Sequence, residues 1–232
     1  MATDPQLPGI RACVFDAYGT LFDYASATLR CRDALGGSFE RVTALWRDKQ
    51  LQYTWLRGLQ GRHADFLRVT GDALDFALES CGIADDALRA RLLQLYLELD
   101  PFPEVPAVLA QLKAAGMRLA ILSNGTPAML EAVVAHAGLA PLFDAVLSVE
   151  EVGVFKPHQS VYALATRRLG VSAGEIAFQS SNSWDAWAAS ASGMRVAWCN
   201  RYGQRRERLP GQPDAEIRSL AELPALLGLP AA

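Results

Sequence analysis

Residues 13–22 read Cys13-Val14-Phe15-Asp16-Ala17-Tyr18-Gly19-Thr20-Leu21-Phe22. A short apolar run ends in one carboxylate and turns at a glycine, the pattern of a buried strand with an acid at its tip. Such an acid is a nucleophile, a metal ligand or a cap on the turn. An acidic residue following Val-Phe is desolvated and needs a partner.

Further apolar runs follow at residues 118–123, 145–148, 176–180 and 196–200, alternating with helical stretches at 105–115, 127–137, 159–169 and 183–192. Short, wholly apolar strands separated by helices predict a parallel sheet covered on both faces. With residues 13–16 as first strand, the fold class is α/β: a doubly wound, mainly parallel, Rossmann-like core. Residues 25–98 break the pattern and read as helices at 43–59, 64–81 and 85–99. Leu45, Trp46, Tyr53, Leu56 and Leu59 recur there at helical spacing. Pro101, Pro103 and Pro106 mark the return to the core. The expected organisation is an α/β core from 1–24 and 99–232 with an inserted helical cap subdomain at 25–98. The Ala/Leu/Pro-rich tail reads as peripheral. In open α/β folds, ligands bind at the carboxyl end of the sheet, where such a cap sits.

The chain has 232 residues, 51% of them hydrophobic and 20% charged, as expected of a soluble globular enzyme. A net charge of −3 argues against a nucleic-acid partner. Arg205, Arg206 and Arg208, beside Glu207, read as a solvated loop. Cys13, Cys31, Cys81 and Cys199 form no Cys-x-x-Cys pair, which suits a reducing compartment better than zinc or disulfides. The opening residues carry no signal-peptide pattern, and no run approaches the ~20 apolar residues of a membrane span. A cytoplasmic protein without a membrane partner is expected.

The strand tips converge on one crevice in this reading. They bring Asp16 and Thr20, then Ser123 and Asn124, then Lys156, and finally Ser180, Ser181, Asn182 and Asp185. A nucleophile candidate, hydroxyls, a cation and a second carboxylate make a reacting set. Each has a structural alternative: Thr20 and Ser123 as helix caps, Lys156 as a surface lysine, Asp185 as a helix-dipole partner.

Together these residues resemble the haloacid dehalogenase superfamily, and within it the L-2-haloacid dehalogenases. The resemblance rests on Phe15-Asp16-Ala17-Tyr18-Gly19-Thr20-Leu21-Phe22, Leu122-Ser123-Asn124-Gly125, Lys156-Pro157 and Ser180-Ser181-Asn182-Ser183-Trp184-Asp185. It extends to the helical segment from Leu45 to Leu56, which contains Arg47, Gln50 and Leu51. Phosphatases of the superfamily place a general acid two residues after the nucleophile and hold magnesium with later acids. Here Tyr18, Ser181 and Asn182 stand instead, a poor donor set for a hard cation.

The resemblance implies metal-free, cofactor-free hydrolysis of a 2-haloacid to a 2-hydroxy acid and halide. Asp16 attacks C2, and water then opens the ester. Lys156 steadies Asp16, Asp185 orients or deprotonates the water, and Thr20, Ser180 and Ser181 hold Asp16. Ser123 and the amides near Tyr18 and Asn124 receive the substrate carboxylate. Arg47, Asn182 and Phe66 receive the halide, while Tyr18, Leu51, Trp184 and Tyr162 wall an apolar pocket. A homodimer is also implied. Asp48, Gln179 and Trp187 depart from the pattern; Asp48 is expected to weaken halide binding, and Trp187 to alter packing near Asp185. The rival expectations are a magnesium-dependent phosphatase or phosphonatase and a catalytically weak binding homologue.

Overall fold

The computed structural model describes residues 7–230. Its sheet is built from β1 (Ala12–Phe15), β2 (Arg118–Ser123), β3 (Ala145–Ser148), β4 (Ile176–Ser180), β5 (Arg195–Cys199) and β6 (Ala215–Ile217). The strands are parallel and ordered β3-β2-β1-β4-β5-β6. Every residue of β1 is buried, as a strand with neighbours on both edges and helices against the sheet requires. The chain builds outward from β1 through β2 to β3, then returns to β4 on the opposite edge of β1. That reversal opens a crevice at the strands' carboxyl ends. Asp16 follows β1 directly, Ser123 ends β2 and Ser180 ends β4.

Five strands agree with the sequence reading to within one residue; β6 was not expected. The tail is less peripheral than expected. It supplies this edge strand and α10 (Leu223–Leu226), and Leu220 and Leu223 are fully buried. Pro224 is buried with them.

Five helices make up the segment inserted after β1: α1 (Ser26–Leu29), α2 (Arg32–Leu35), α3 (Phe39–Leu59), α4 (Phe66–Ser80) and α5 (Asp86–Tyr96). Helices α4 and α5 start where Asp65 and Asp85 accept the backbone N–H of Arg68 and Leu88, ordinary N-caps. Helix α3 begins four residues before the expected start, because a 3₁₀ turn at Gly36–Ser38 runs straight into it. It packs on α4, where the Trp46 indole donates to the Thr70 carbonyl at 2.9 Å. Helices α6 (Val105–Ala114), α7 (Pro127–His136), α8 (Gln159–Leu169) and α9 (Ser183–Ala191) flank the sheet. Thr126 caps α7 through its side chain, and Gly170 ends α8 in the left-handed conformation.

Candidate active site

Asp16 is buried at the tip of β1 and held by four side chains. Its Oδ2 accepts from Thr20 Oγ1 at 3.1 Å, Ser180 Oγ at 3.3 Å and Asn182 Nδ2 at 2.7 Å. Its Oδ1 accepts from Lys156 Nζ at 3.1 Å. The backbone explains this convergence. The Asp16 amide bonds to the Gln179 carbonyl, extending the β1–β4 ladder so that Ser180 arrives beside Asp16. Asn182 occupies the N-cap position of α9 but does not cap with its side chain, which leaves that amide free for Asp16.

Lys156 is fully buried between two carboxylates, donating to Asp16 and, at 2.7 Å, to Asp185 Oδ2. Burial alone would pull the ammonium down, but Asp16 and Asp185 outweigh it and leave Lys156 above its usual value. Burial also pushes Asp185 up; Lys156 opposes the rise and Asp16 adds to it. The remaining Asp185 oxygen accepts from the Tyr162 hydroxyl at 2.7 Å. Burial, and then Asp185, holds the Tyr162 phenol well above its usual value, so it stays a neutral donor. The three groups give one cation between two anions, with Asp185 more basic than a solvated carboxylate.

On the other side of β1, Ser123 Oγ accepts from the Gly125 amide at 3.1 Å, leaving its own O–H to donate elsewhere. The Asn124 side chain accepts from the Lys156 backbone amide at 3.0 Å, tying the β2 turn to the lysine loop. Gly125 is required by close approach: a Cβ there would lie 2.9 Å from the Tyr18 hydroxyl. The Tyr18 ring stacks on Tyr96 at 5.3 Å and tilts against Phe66 at 5.6 Å. Burial, then Tyr96 and Asp16, push its phenol well above the usual value. That hydroxyl is buried without a hydrogen-bond partner among the described residues.

Arg47 reaches this cluster from α3. Its Nη2 donates to Asn182 Oδ1 at 2.9 Å and towards the Tyr18 carbonyl at 3.4 Å, and its Nη1 donates to Gln50 Oε1 at 2.8 Å. Asn182 therefore touches both the acid and the guanidinium. Leu51 lies one turn further along α3, and half-buried Trp184 meets Trp55 edge-on at 5.4 Å.

Four expectations change. The Ser181 side chain does not hold Asp16: its backbone amide donates to Thr20 Oγ1 at 2.8 Å, while its hydroxyl is buried without a hydrogen-bond partner among the described residues. Successive side chains after a strand point to opposite faces, so Ser180 and Ser181 cannot both meet Asp16. Tyr162 is not a plain apolar wall, because its hydroxyl is committed to Asp185. Asp48 is exposed and about 100° round the helix from Arg47, which removes the expected interference with the cation. Trp187 is core rather than a disturbance near Asp185, packing edge-on against Trp198 at 5.2 Å. Gln179, the remaining departure, is fully buried with a side-chain amide that has no partner among the described residues.

Three neighbours were missed. Gln50 donates to Thr70 Oγ1 at 2.8 Å and Tyr96 Oη at 3.0 Å, so its oxygen is fixed toward Arg47. Its position three residues after Arg47 on a helix was an available signal. The Tyr24 ring underlies the guanidinium at 4.8 Å. Arg201, paired with Glu104 at 2.6 Å, donates to the Thr20 carbonyl at 2.9 Å. Nothing in the local sequence marks either of these two.

Comparison with known proteins agrees with this geometry. The family model for haloacid dehalogenase-like hydrolase matches residues 10–193. The chain is 48% identical over 212 residues to the (S)-2-haloacid dehalogenase of Pseudomonas sp. strain YL, covering 91% of each chain. It is 40% identical over 209 residues to haloacetate dehalogenase H-2 of Moraxella sp. strain B, covering 90% of this chain and 93% of the relative. The crystal structure of L-2-haloacid dehalogenase from Xanthobacter autotrophicus, with chloropropionic acid covalently bound, superposes with a TM-score of 0.88. It is 41% identical, and the match covers 94% of this chain and 98% of that one. The acid at the tip of β1, the parallel sheet around it and these relatives lead to one assignment: the chain belongs to the haloacid dehalogenase-like hydrolase family.

Proposed function

We propose that the protein hydrolyses L-2-haloalkanoic acids to D-2-hydroxyalkanoic acids, with inversion at C2, through an ester on Asp16 and without a metal. The observation that carries this reading is the unequal bonding of the Asp16 oxygens. Among the described residues Oδ2 has three donors, whereas Oδ1 has only Lys156. Oδ1 is the freer lone pair and attacks C2 as the carbon–halogen bond breaks. Thr20, Ser180 and Asn182 remain on Oδ2, which becomes the ester carbonyl oxygen, and stabilise the charge it gains when water adds to Cγ. Asp185 takes a proton from that water. The Cγ–Oδ1 bond then breaks as Asp185 returns its proton to Oδ1, which leaves on the product as its hydroxyl, and the Asp16 carboxyl keeps the water oxygen and loses the remaining water proton to solvent.

Arg47 and Asn182 face the departing halide beside Phe66, and Ser123 with the Asn124 amide receives the substrate carboxylate. Tyr18, Leu51 and Trp184 bound the substrate's apolar side. Halide leaves as a stable anion, so Tyr18 need not act as an acid, and its partnerless hydroxyl fits that idle role. Residues 25–98 act as a cap on a core of 1–24 and 99–232, because Arg47 on α3 reaches Asn182 at the end of β4. Leu56, Leu67 and Phe76 are exposed apolar residues on α3 and α4, which suits pairing of two copies through these helices. The four cysteines are free, as a reducing cytoplasm would leave them. No described helix is long and apolar enough to cross a membrane.

The test is halide release from L- and D-2-chloropropionate with a chelator present. Release from the L-form alone, unaffected by chelator and abolished in Asp16→Ala, is expected. A strict magnesium requirement, or full activity in Asp16→Ala, would contradict the reading.

A further inference from the structure

Beside the candidate active site lies a solvent-open, mostly apolar cavity of about 640 Å³ with no role in the chemistry above. Its walls include Trp55, Gly58 and Leu59 of α3, Trp184 and Ala188 of α9, and Leu209 from the loop after β5. Its size falls within the usual range for a small-molecule site.

The two helices carry this cavity away from the reacting atoms. On α3, Leu51 and Trp55 follow Arg47 at intervals of four, and Gly58 lies only about 20° round the helix from Arg47. Opposite them, Asn182 precedes α9, and Trp184 and Ala188 follow one turn apart. The two faces touch first at Arg47 Nη2 and Asn182 Oδ1, 2.9 Å apart. Further along they touch at Trp55 and Trp184, whose rings meet edge-on at 5.4 Å. Beyond that contact they part into the cavity. At the helical rise, Arg47 to Gly58 spans about 16 Å, the scale of an extended hydrocarbon chain. Lys156 also lines the cavity, but its ammonium is committed to Asp16 and Asp185, so the wall offers a ligand little charge.

We propose that this cavity is a subsite for the hydrocarbon tail of medium-chain 2-haloalkanoates, with C2 held between Asp16 and Arg47 and the distal carbons running past Trp184 toward Gly58. The proposal rests on the dehalogenase reading and adds a substrate class to it. An apolar tail gains from leaving water along such a wall. The open far end would set no sharp limit on chain length.

Gly58 provides the test, because a Cβ built there meets nothing within 4 Å and its backbone is ordinary helix. Gly58→Phe should fill the cavity without straining the fold, with Gly58→Ala as its control. Ala188→Phe fills it from the opposite wall. Halide release is measured for L-2-bromopropionate and L-2-bromooctanoate. In both Phe variants, kcat/KM for the octanoate should fall by about tenfold or more, while the propionate value stays within about twofold of wild type. Parallel changes in the two substrates would overturn the subsite, as would a wild-type enzyme that turns over the propionate but not the octanoate. A Gly58→Phe protein that separates into monomers and slows both substrates alike would also overturn it, assigning the cavity to a subunit interface. No halide release from either substrate in wild type would overturn the dehalogenase reading itself, and the subsite with it.

Discussion

Lys156 donates to Asp185 across 2.7 Å, closer than the 3.1 Å between the same ammonium and Asp16. One buried cation therefore serves two buried carboxylates, and neither is well placed without it. In Lys156→Met the two acids face each other uncompensated. Removing one member of a buried charge set costs about 3–5 kcal/mol of stability. Loss of an aligned charged donor should slow halide release by about a hundredfold or more. Urea titration and initial rates check both, and a stable variant of near-normal rate would refute the shared-cation role.

Tyr162 donates to the other oxygen of Asp185, and that bond holds the carboxyl down against burial. Asp185 must be ionised to take a proton from water, so activity falls as pH drops through its pKa. That pKa already lies above the usual Asp range. Tyr162→Phe removes one of the influences lowering it and should move the acid limb of the kcat profile to higher pH. At alkaline pH the raised Lys156 value should keep the ammonium charged beyond the ordinary lysine range. An acid limb unchanged in Tyr162→Phe would show that Asp185 does not govern it.

Arg47 is held by Gln50 on one side and Asn182 on the other. Its help grows with charge on the departing halogen, so poorer leaving groups should suffer most from its loss. Arg47→Ala should lower turnover more for chloride than for bromide, and more for bromide than for iodide. Gln50→Leu should repeat the order more weakly. Equal losses across the three halides would remove Arg47 from halide departure.

Gln179 buries a side-chain amide at the centre of the sheet with no partner among the described residues. Such a group costs about 1–3 kcal/mol. Gln179→Met keeps the unbranched shape without the polar atoms and should raise stability by about 1 kcal/mol, or a Tm increase of about 2–4 °C. A lower Tm would mean that the amide has an interaction of its own.

The sequence made legible what strand tips display. Asp16, Ser123 and Ser180 each end a short apolar run, and a parallel sheet brings such ends together. It was less informative about side-chain direction. The resemblance assigned Ser181 to Asp16 and Tyr162 to the pocket wall, but alternation after β4 turns the Ser181 side chain away from Asp16, and the packing of α8 aims the Tyr162 hydroxyl at Asp185. Gln50 could have been found from its spacing to Arg47. Arg201 could not, because its bond to the Thr20 carbonyl joins residues 181 apart. Strand β6, at three residues, is too short for periodicity to reveal.

Whether Asp16 is the nucleophile is tested most directly by one turnover in heavy-oxygen water, with enzyme in excess over L-2-chloropropionate. The peptide containing Asp16 should gain one heavy oxygen while the 2-hydroxypropionate leaves unlabelled, since its hydroxyl comes from the Asp16 carboxylate. Label in the product and none on Asp16 would mean that water attacks C2 directly, contradicting the ester mechanism.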